Sequence, residues 1–377
     1  MKIVLVHPAI MDYRVELFEK LHKKYDVTFV LTKQGRGQEN VKEIHEKIST
    51  EWKSKILNSN VIFCKKDIGM YLLLMKELVF GNYDIVITST SRYVCWIASK
   101  LSGKKFIFMT EFWCLKDTSS ARKILNSLTK MIMRHSDSIF AMGTKVSRSC
   151  IDFGVKTERI FMYPQCSVDY SKQSVKDLRK ELKLNDKKII LFMGRLVKIK
   201  GLNFLMESFS MLEKTNENVF LLICGDGPDK DELENLAKQL KIKNILFTGT
   251  IEKKEISSYY NVCDIFVLPS IFYGPFYEPW GLVINEAMAF GKPIITTIAV
   301  GAGTDLVING YNGYVVSDKN ITELKLSLYK IISNTEKIKT FGINSRKLFL
   351  EKNNYSKMFL TFVAAIDYVA YNIENKR

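Results

Sequence analysis

Two carboxylates, Glu278 and Glu286, stand eight positions apart in EPWGLVINEAMAFGKPII, with a Trp-Gly pair between them and small apolar residues after. A helix is expected to begin near Gly281, just after Pro279, which leaves Glu278 in a loop and puts Glu286 in the second turn. A carboxylate buried there needs hydrogen-bond donors, because an uncompensated one is costly. The two hydroxyls of a ribose would supply them, and Glu278 would likewise accept from the hydroxyls of a sugar. Backbone N–H groups around Gly281, Leu282 and Val283 would face whatever the loop holds. The alternative makes Glu286 an exposed helix position and Glu278 a loop charge, and an isolated pair at this spacing is common by chance.

Two cations shift that balance. In GRLVKIKG (194–201), Arg195 follows the strand-like KIILFM and Lys200 precedes the helix-like GLNFLMESFSML. Both are expected at one sheet edge, near a helix terminus whose free N–H groups favour anions. A guanidinium fork and an ammonium point charge there suit a diphosphate. A solvated loop with ordinary surface charges is the competing account. The neighbouring CGDGPDKDEL (224–233) lacks both the third glycine of a dinucleotide turn and the GK[ST] of a phosphate loop, so turn geometry explains it better. Asp226 or Asp229 would then cap the following helix.

These residues need a scaffold, and the sequence indicates one. Strands are expected at 2–7, 27–32, 84–89, 105–110 and 138–143, and again at 188–194, 219–225, 244–249, 264–270 and 293–297. Their Ile, Val, Leu and Phe content is that of strands covered on both faces, as in parallel sheets. Helical patterns such as 13–25 and 229–242 lie between them, so the class is α/β with two doubly wound domains. The expected division is 1–169, a linker at 170–187, 188–350, and a closing helix at 351–377. Whether that helix packs back on the first domain stays open. Ligands of such sheets bind beyond the carboxyl ends of the strands, and two domains set face to face would share a cleft.

Composition narrows the partners. The 377 residues are 47% hydrophobic and 25% charged, which is ordinary for globular domains. No apolar run approaches the ~18–20 residues of a membrane-spanning helix, and the opening MKIVLVHPAI reads as a buried strand. Seven scattered cysteines without a CxxC pair indicate reduced thiols, a cytoplasmic chain and no metal site. The net charge of +16 fits nucleic acid, an anionic membrane or a phosphorylated substrate.

Taken in order, G-R-L-x3-K-G, C-G-D-G-P, D-I-F-V-L-P-S and E-P-W-G-L-V-I-N-E-A-M-A-x-G-K-P-I-I resemble the family 4 retaining glycosyltransferases of the GT-B fold, two Rossmann-like domains facing each other across a cleft. The resemblance is strong over 188–316, including NGYNGYVV (309–316), and weaker over 136–169. It implies transfer of a sugar from a nucleotide diphosphosugar to an acceptor hydroxyl with retention and without a metal or other cofactor. By the same resemblance Arg195 and Lys200 hold the diphosphate, Glu278 the transferred sugar and Glu286 the ribose. Gly194 belongs to the donor loop, the amides at Gly281, Leu282 and Val283 meet sugar and phosphate, and the backbone at Gly249 to Ile251 borders the base. A glycan or lipid-linked acceptor, in polysaccharide or glycolipid synthesis, would meet the first domain.

The departures from the family lie in that first domain. Its first loop, HPAIMDYR, lacks the glycine pair of many relatives, and TEFW carries Glu111 where many have a histidine. Glu111, Asp12 and Arg14 are the candidate acceptor contacts, while His7 and His135 read as structural. Residues 116–135 place Ile124, Leu125, Leu128, Met131 and Ile132 among Lys116, Arg122, Lys123, Lys130 and Arg134. Either this is a core-facing helix with a solvated basic side, or it docks peripherally on the inner membrane face. Nucleic acid is disfavoured as a partner because aromatics are not interleaved with the basic residues. An inactive GT-B scaffold would not need the Arg, Lys and Glu set. A nicotinamide-dependent enzyme would show a G-x-G-x-x-G turn, and none is present.

Overall fold

The Ile, Val, Leu and Phe runs become the strands of two all-parallel sheets in the computed structural model, which describes residues 1–8, 11–32, 61–64, 68–184 and 186–374. One compact unit comprises Met1–Met142, Val146–Tyr163 and the chain from Tyr355 onward. The other comprises Gly143–Lys145 and Pro164–Asn354.

The first unit holds β1 (Lys2–His7), β2 (Asp26–Thr32), β3 (Val61–Cys64), β4 (Ile85–Thr88), β5 (Lys105–Thr110), β6 (Ser138–Met142) and β7 (Ile160–Tyr163). Their order in the sheet is β3-β2-β1-β4-β5-β6-β7, so consecutive connections reverse direction between β1 and β4. That reversal opens a crevice at the carboxyl ends of these two strands. The helix Tyr355–Glu374 packs on this unit through Phe362, whose ring stacks 3.9 Å from Phe140 and lies 5.3 Å from Tyr163. Tyr355 donates its hydroxyl to the Tyr13 carbonyl at 3.0 Å. Burying a ring such as Phe362 stabilises a fold by roughly 1.5–3 kcal/mol.

The second unit repeats the plan with β8 (Lys188–Met193), β9 (Val219–Cys224), β10 (Ile245–Gly249), β11 (Ile265–Leu268), β12 (Ile294–Thr297) and β13 (Gly313–Val316), in the order β10-β9-β8-β11-β12-β13. Its reversal falls between β8 and β11. The segment 170–187 packs on this unit: Tyr170, Leu178 and Leu184 are buried, and Arg179 pairs with Asp264 at 2.7 Å.

All ten expected strands are present, with lengths that differ from the expectation by three residues at most. Three others, β3, β7 and β13, each four residues long, were not among the expected strands. The edge strand β7 is also only partly buried. The helix Ser120–His135 departs from the core-facing expectation. Its buried stripe is Asn126, Thr129, Ile132 and Met133, while Ile124, Leu125 and Leu128 are exposed. The polar members of that stripe are satisfied: Asn126 donates to Asp117 at 2.8 Å, and Arg92 donates to Thr129 at 3.1 Å. Among the described residues no helix is long and apolar enough to cross a membrane.

Candidate functional site

In the second unit the loops after β8 and β11 meet at the reversal point. The Ile271 amide donates to the Ile199 carbonyl at 2.8 Å, which ties the GRLVKIKG loop to the end of β11. Lys200 ends a single 3-10 turn, Lys198–Lys200, and Gly201 follows in the left-handed region with φ 64°. A Cβ on Gly201 would lie 2.3 Å from the Pro269 carbonyl oxygen. Only glycine fits there, so the Lys-Gly sequence brings the lysine stem against the next strand's exit.

The Lys200 ammonium donates to a Glu278 carboxylate oxygen. Both side chains are largely covered, with exposures of 15% and 16%, and Ser270 donates to the same oxygen at 3.4 Å. Glu278 is fixed by its backbone: its amide donates to Ala299 at 3.1 Å, and its carbonyl accepts from Gly301 at 3.0 Å. Gly281 has φ 92°, and a Cβ there would sit 2.8 Å from Leu268 and 2.9 Å from Val300. It lets the chain turn directly from Glu278 into the next helix.

That helix is Val283–Ala289, so it begins two residues later than the sequence suggests and Glu286 lies in its first turn. Tyr260, fully buried, donates its hydroxyl to Glu286 at 2.7 Å and approaches the Val283 carbonyl at 3.5 Å. Burial pushes the Glu286 carboxyl up to about 7, against the lowering effect of the Tyr260 hydroxyl. The same pairing and burial hold the Tyr260 hydroxyl well above its ordinary value. Glu286 therefore is not the exposed helix charge of the alternative reading.

The remaining expected donor residues occupy the same sheet edge. Arg195, directly after Gly194, is exposed and forms no ion pair among the described residues. Leu282 and Val283 lead into the Glu286 helix. Gly249 ends β10, its carbonyl accepting from Gly225 at 2.8 Å, and Ile251 lies two residues beyond. The contacts join Lys200 to Glu278 and Glu286 to Tyr260, but do not draw Arg195, Gly249 or Ile251 into either cluster. Sequence reasoning missed Tyr260 and Ser270. Neither carries a local signal, since each is recognised only by the carboxylate it meets.

CGDG has the packing role expected of it. A Cβ on Gly225 would lie 1.9 Å from the Gly194 carbonyl oxygen, and one on Gly227 would lie 2.3 Å from that of Leu196. The aspartates do not cap the next helix with their side chains: Asp226 accepts from the Gly227 amide at 2.7 Å, and Asp229 makes no side-chain cap. Cys224 and Cys263 are buried free thiols, and burial pushes each up to about 12, which leaves them unreactive.

In the first unit the β1/β4 crevice contains a cavity of about 150 Å³ lined by His7, Tyr13, Arg14, Ser89, Thr110, Glu111 and Tyr163, among others. Arg14 and Glu111, two of the expected acceptor contacts, thus share one hollow. The third, Asp12, opens the first helix, and its side chain lies outside the described residues. His7 is 7% exposed and packs edge-on against Phe18. His135 is on the surface, its ring nitrogen 2.8 Å from the Met131 carbonyl, as a structural residue would be.

Residues 174–348 match the family model described as glycosyl transferases group 1. An uncharacterized glycosyltransferase of Methanocaldococcus jannaschii is 27% identical over 61% of this chain and 58% of its own length. The capsular polysaccharide biosynthesis glycosyltransferase CapM of Staphylococcus aureus is 31% identical over 44% of this chain and 42% of its own. The chain thus spans less than two thirds of either relative. Among solved structures, Anabaena HepE in complex with UDP and glucose superposes with a TM-score of 0.76 at 17% identity, over 97% of this chain and 99% of that one. The likeness shows the fold: α/β, the GT-B architecture of two doubly wound, Rossmann-like domains.

Proposed function

We propose that this chain is a retaining glycosyltransferase of the family 4 type, which moves a sugar from a nucleotide diphosphosugar to an acceptor hydroxyl. The observation that carries the reading is the Lys200–Glu278 pair at the reversal point of the second sheet, with Glu286 eight residues further along in the helix that follows. Each member of the pair is a ready partner for one half of a sugar phosphate.

In this reading the incoming diphosphate takes Lys200 from Glu278, and Arg195 closes on it from solvent. Glu278, released, accepts from hydroxyls of the sugar, while Glu286 accepts from the ribose. The bond from the anomeric carbon to the phosphate oxygen breaks, and negative charge builds on the leaving diphosphate. Fixed cations stabilise that charge, and loss of one such group costs ~10²–10³ in rate. The acceptor oxygen bonds to the anomeric carbon on the face the phosphate leaves, and its proton passes to a phosphate oxygen. No positioned nucleophile is required, and the transfer is proposed to need no metal.

The relatives inform the substrates. HepE binds UDP and glucose, so a UDP-sugar is the first donor to test, with the Gly249–Ile251 backbone bordering the base. CapM acts in capsular polysaccharide biosynthesis, which favours a glycan or lipid-linked acceptor. The exposed Ile124, Leu125 and Leu128, with Lys123 and Arg134 exposed beside them, favour peripheral contact with an anionic membrane on its cytoplasmic side. The reading is tested with a panel of UDP-, GDP- and ADP-sugars, followed for binding and slow hydrolysis, with and without chelator. One donor class should bind and hydrolyse equally with chelator present. Absence of binding across the panel would overturn the proposal.

A further inference from the structure

We propose that the cavity of the first unit is an oxyanion site in which Arg14 and Ser89 receive the carboxylate or phosphate of an acidic sugar, while Glu111 accepts from a neighbouring hydroxyl. The inference rests on the glycosyltransferase reading only in calling that sugar the acceptor.

Arg14 is 6% exposed, and it makes a long donation from Nη2 to the Tyr163 hydroxyl at 3.4 Å. Its Nε and Nη1 are buried and have no hydrogen-bond partner, and Ser89 Oγ, which lines the same cavity, is buried and unpartnered too. Three orphaned donors at one hollow are unusual, because buried polar groups are nearly always satisfied. A buried guanidinium adds the demand for a counter-charge. Glu111 lines the same cavity and is exposed, and its charge acts on the guanidinium from a distance.

Geometry selects the ligand class. The planar guanidinium presents Nε and one Nη as a fork that matches two oxygens of a carboxylate or phosphate. The cavity of about 150 Å³ has room for such a group with part of a sugar ring. Tyr13 and Tyr163 flank the guanidinium, their ring centres 5.5 and 5.7 Å away, so the cation is held in place before any ligand arrives. The location fits as well, since the carboxyl end of a β1/β4 reversal is where open parallel sheets take ligands. A fully neutral sugar would leave the two arginine donors without an acidic partner.

The 377-residue chain is titrated with glucuronate, glucose 6-phosphate and glucose, by ligand-observed NMR at neutral pH, in parallel with UDP. Saturable binding of at least one acid, with glucose weaker by about tenfold or more, is the expected result, and the two acids separate a carboxylate from a phosphate site. Arg14→Lys should weaken the bound acid by about tenfold, since a point charge replaces the fork. If Arg14→Lys does not fold, Ser89→Ala takes its place and should weaken the acid severalfold. Equal binding of glucose and both acids, no saturation by either acid, or a folded Arg14→Lys with unchanged affinity would each overturn the proposal. UDP binding without acid binding removes this inference alone. Failure of the nucleotide titration strikes at the donor reading and leaves the acid result to judge the cavity.

Discussion

Glu286 is a carboxyl group that the fold covers and then satisfies with one phenol, and its behaviour with pH follows. Its value of about 7 lies above the ordinary 4.5, so the folded chain holds this proton where the unfolded chain has released it. The folded state is therefore favoured at the acid end, and the contribution is lost as pH rises from about 4.5 through about 7. At one unit per 1.36 kcal/mol the loss is at most on the order of 3 kcal/mol. Glu286→Gln should abolish it, so urea melts should show the variant gaining on the wild type between about pH 5 and about pH 8. A constant difference would show that the carboxyl does not titrate there. Lys200 makes a different prediction. Lys200→Ala should reduce turnover by about 10²–10³ while sugar-nucleotide affinity falls far less, because the negative charge it meets on the diphosphate increases as the bond breaks. Equal losses in stopped-flow turnover and in binding would contradict that role.

Among the elements, the glycine-rich loops show what a sequence can and cannot display. The strands β8–β12 were legible because their apolar runs are dense and bounded by Gly, Pro and Asp. The Lys-Gly and Trp-Gly sites were legible as loops, yet the reason for each glycine emerges only from what a Cβ would strike. Gly225→Ala would place a methyl 1.9 Å from the Gly194 carbonyl oxygen in a backbone with φ 138°. It should destabilise the chain by about 1–3 kcal/mol or more, read as a lowered urea midpoint, and shift Arg195 by displacing its neighbour. For the helix Ser120–His135 the sequence left two readings open for a related reason: periodicity marks an apolar face but does not say what covers it. Here a polar stripe packs inward through Arg92 and Asp117, and Ile124, Leu125 and Leu128 are left outside. Vesicles with anionic lipid should therefore bind the wild type more than neutral vesicles do. Ile124→Ser with Leu128→Ser should weaken that binding several-fold in a flotation assay, and no difference would leave the helix a plain surface feature.

For the molecule as a whole, the six-stranded sheet repeats the order of the first six strands of the seven-stranded one. The family match covers 174–348, within the unit that carries Lys200, Glu278 and Glu286. The first unit contributes an arginine-lined hollow whose donors await a partner. Resemblance could point to the expected donor residues, since their motifs are local and ordered. It could not locate Tyr260, Ser270 or Ser89, because those are brought to their sites by distant parts of the chain. The account depends most on the claim that the second unit grips a nucleotide through Glu286. Calorimetric titration of the best nucleotide from the donor panel into wild type and Glu286→Ala tests it directly. Saturable binding by the wild type, weakened about tenfold or more in the variant at unchanged secondary structure, is predicted from the loss of a charged hydrogen-bond acceptor. Identical affinities in the two proteins would contradict it.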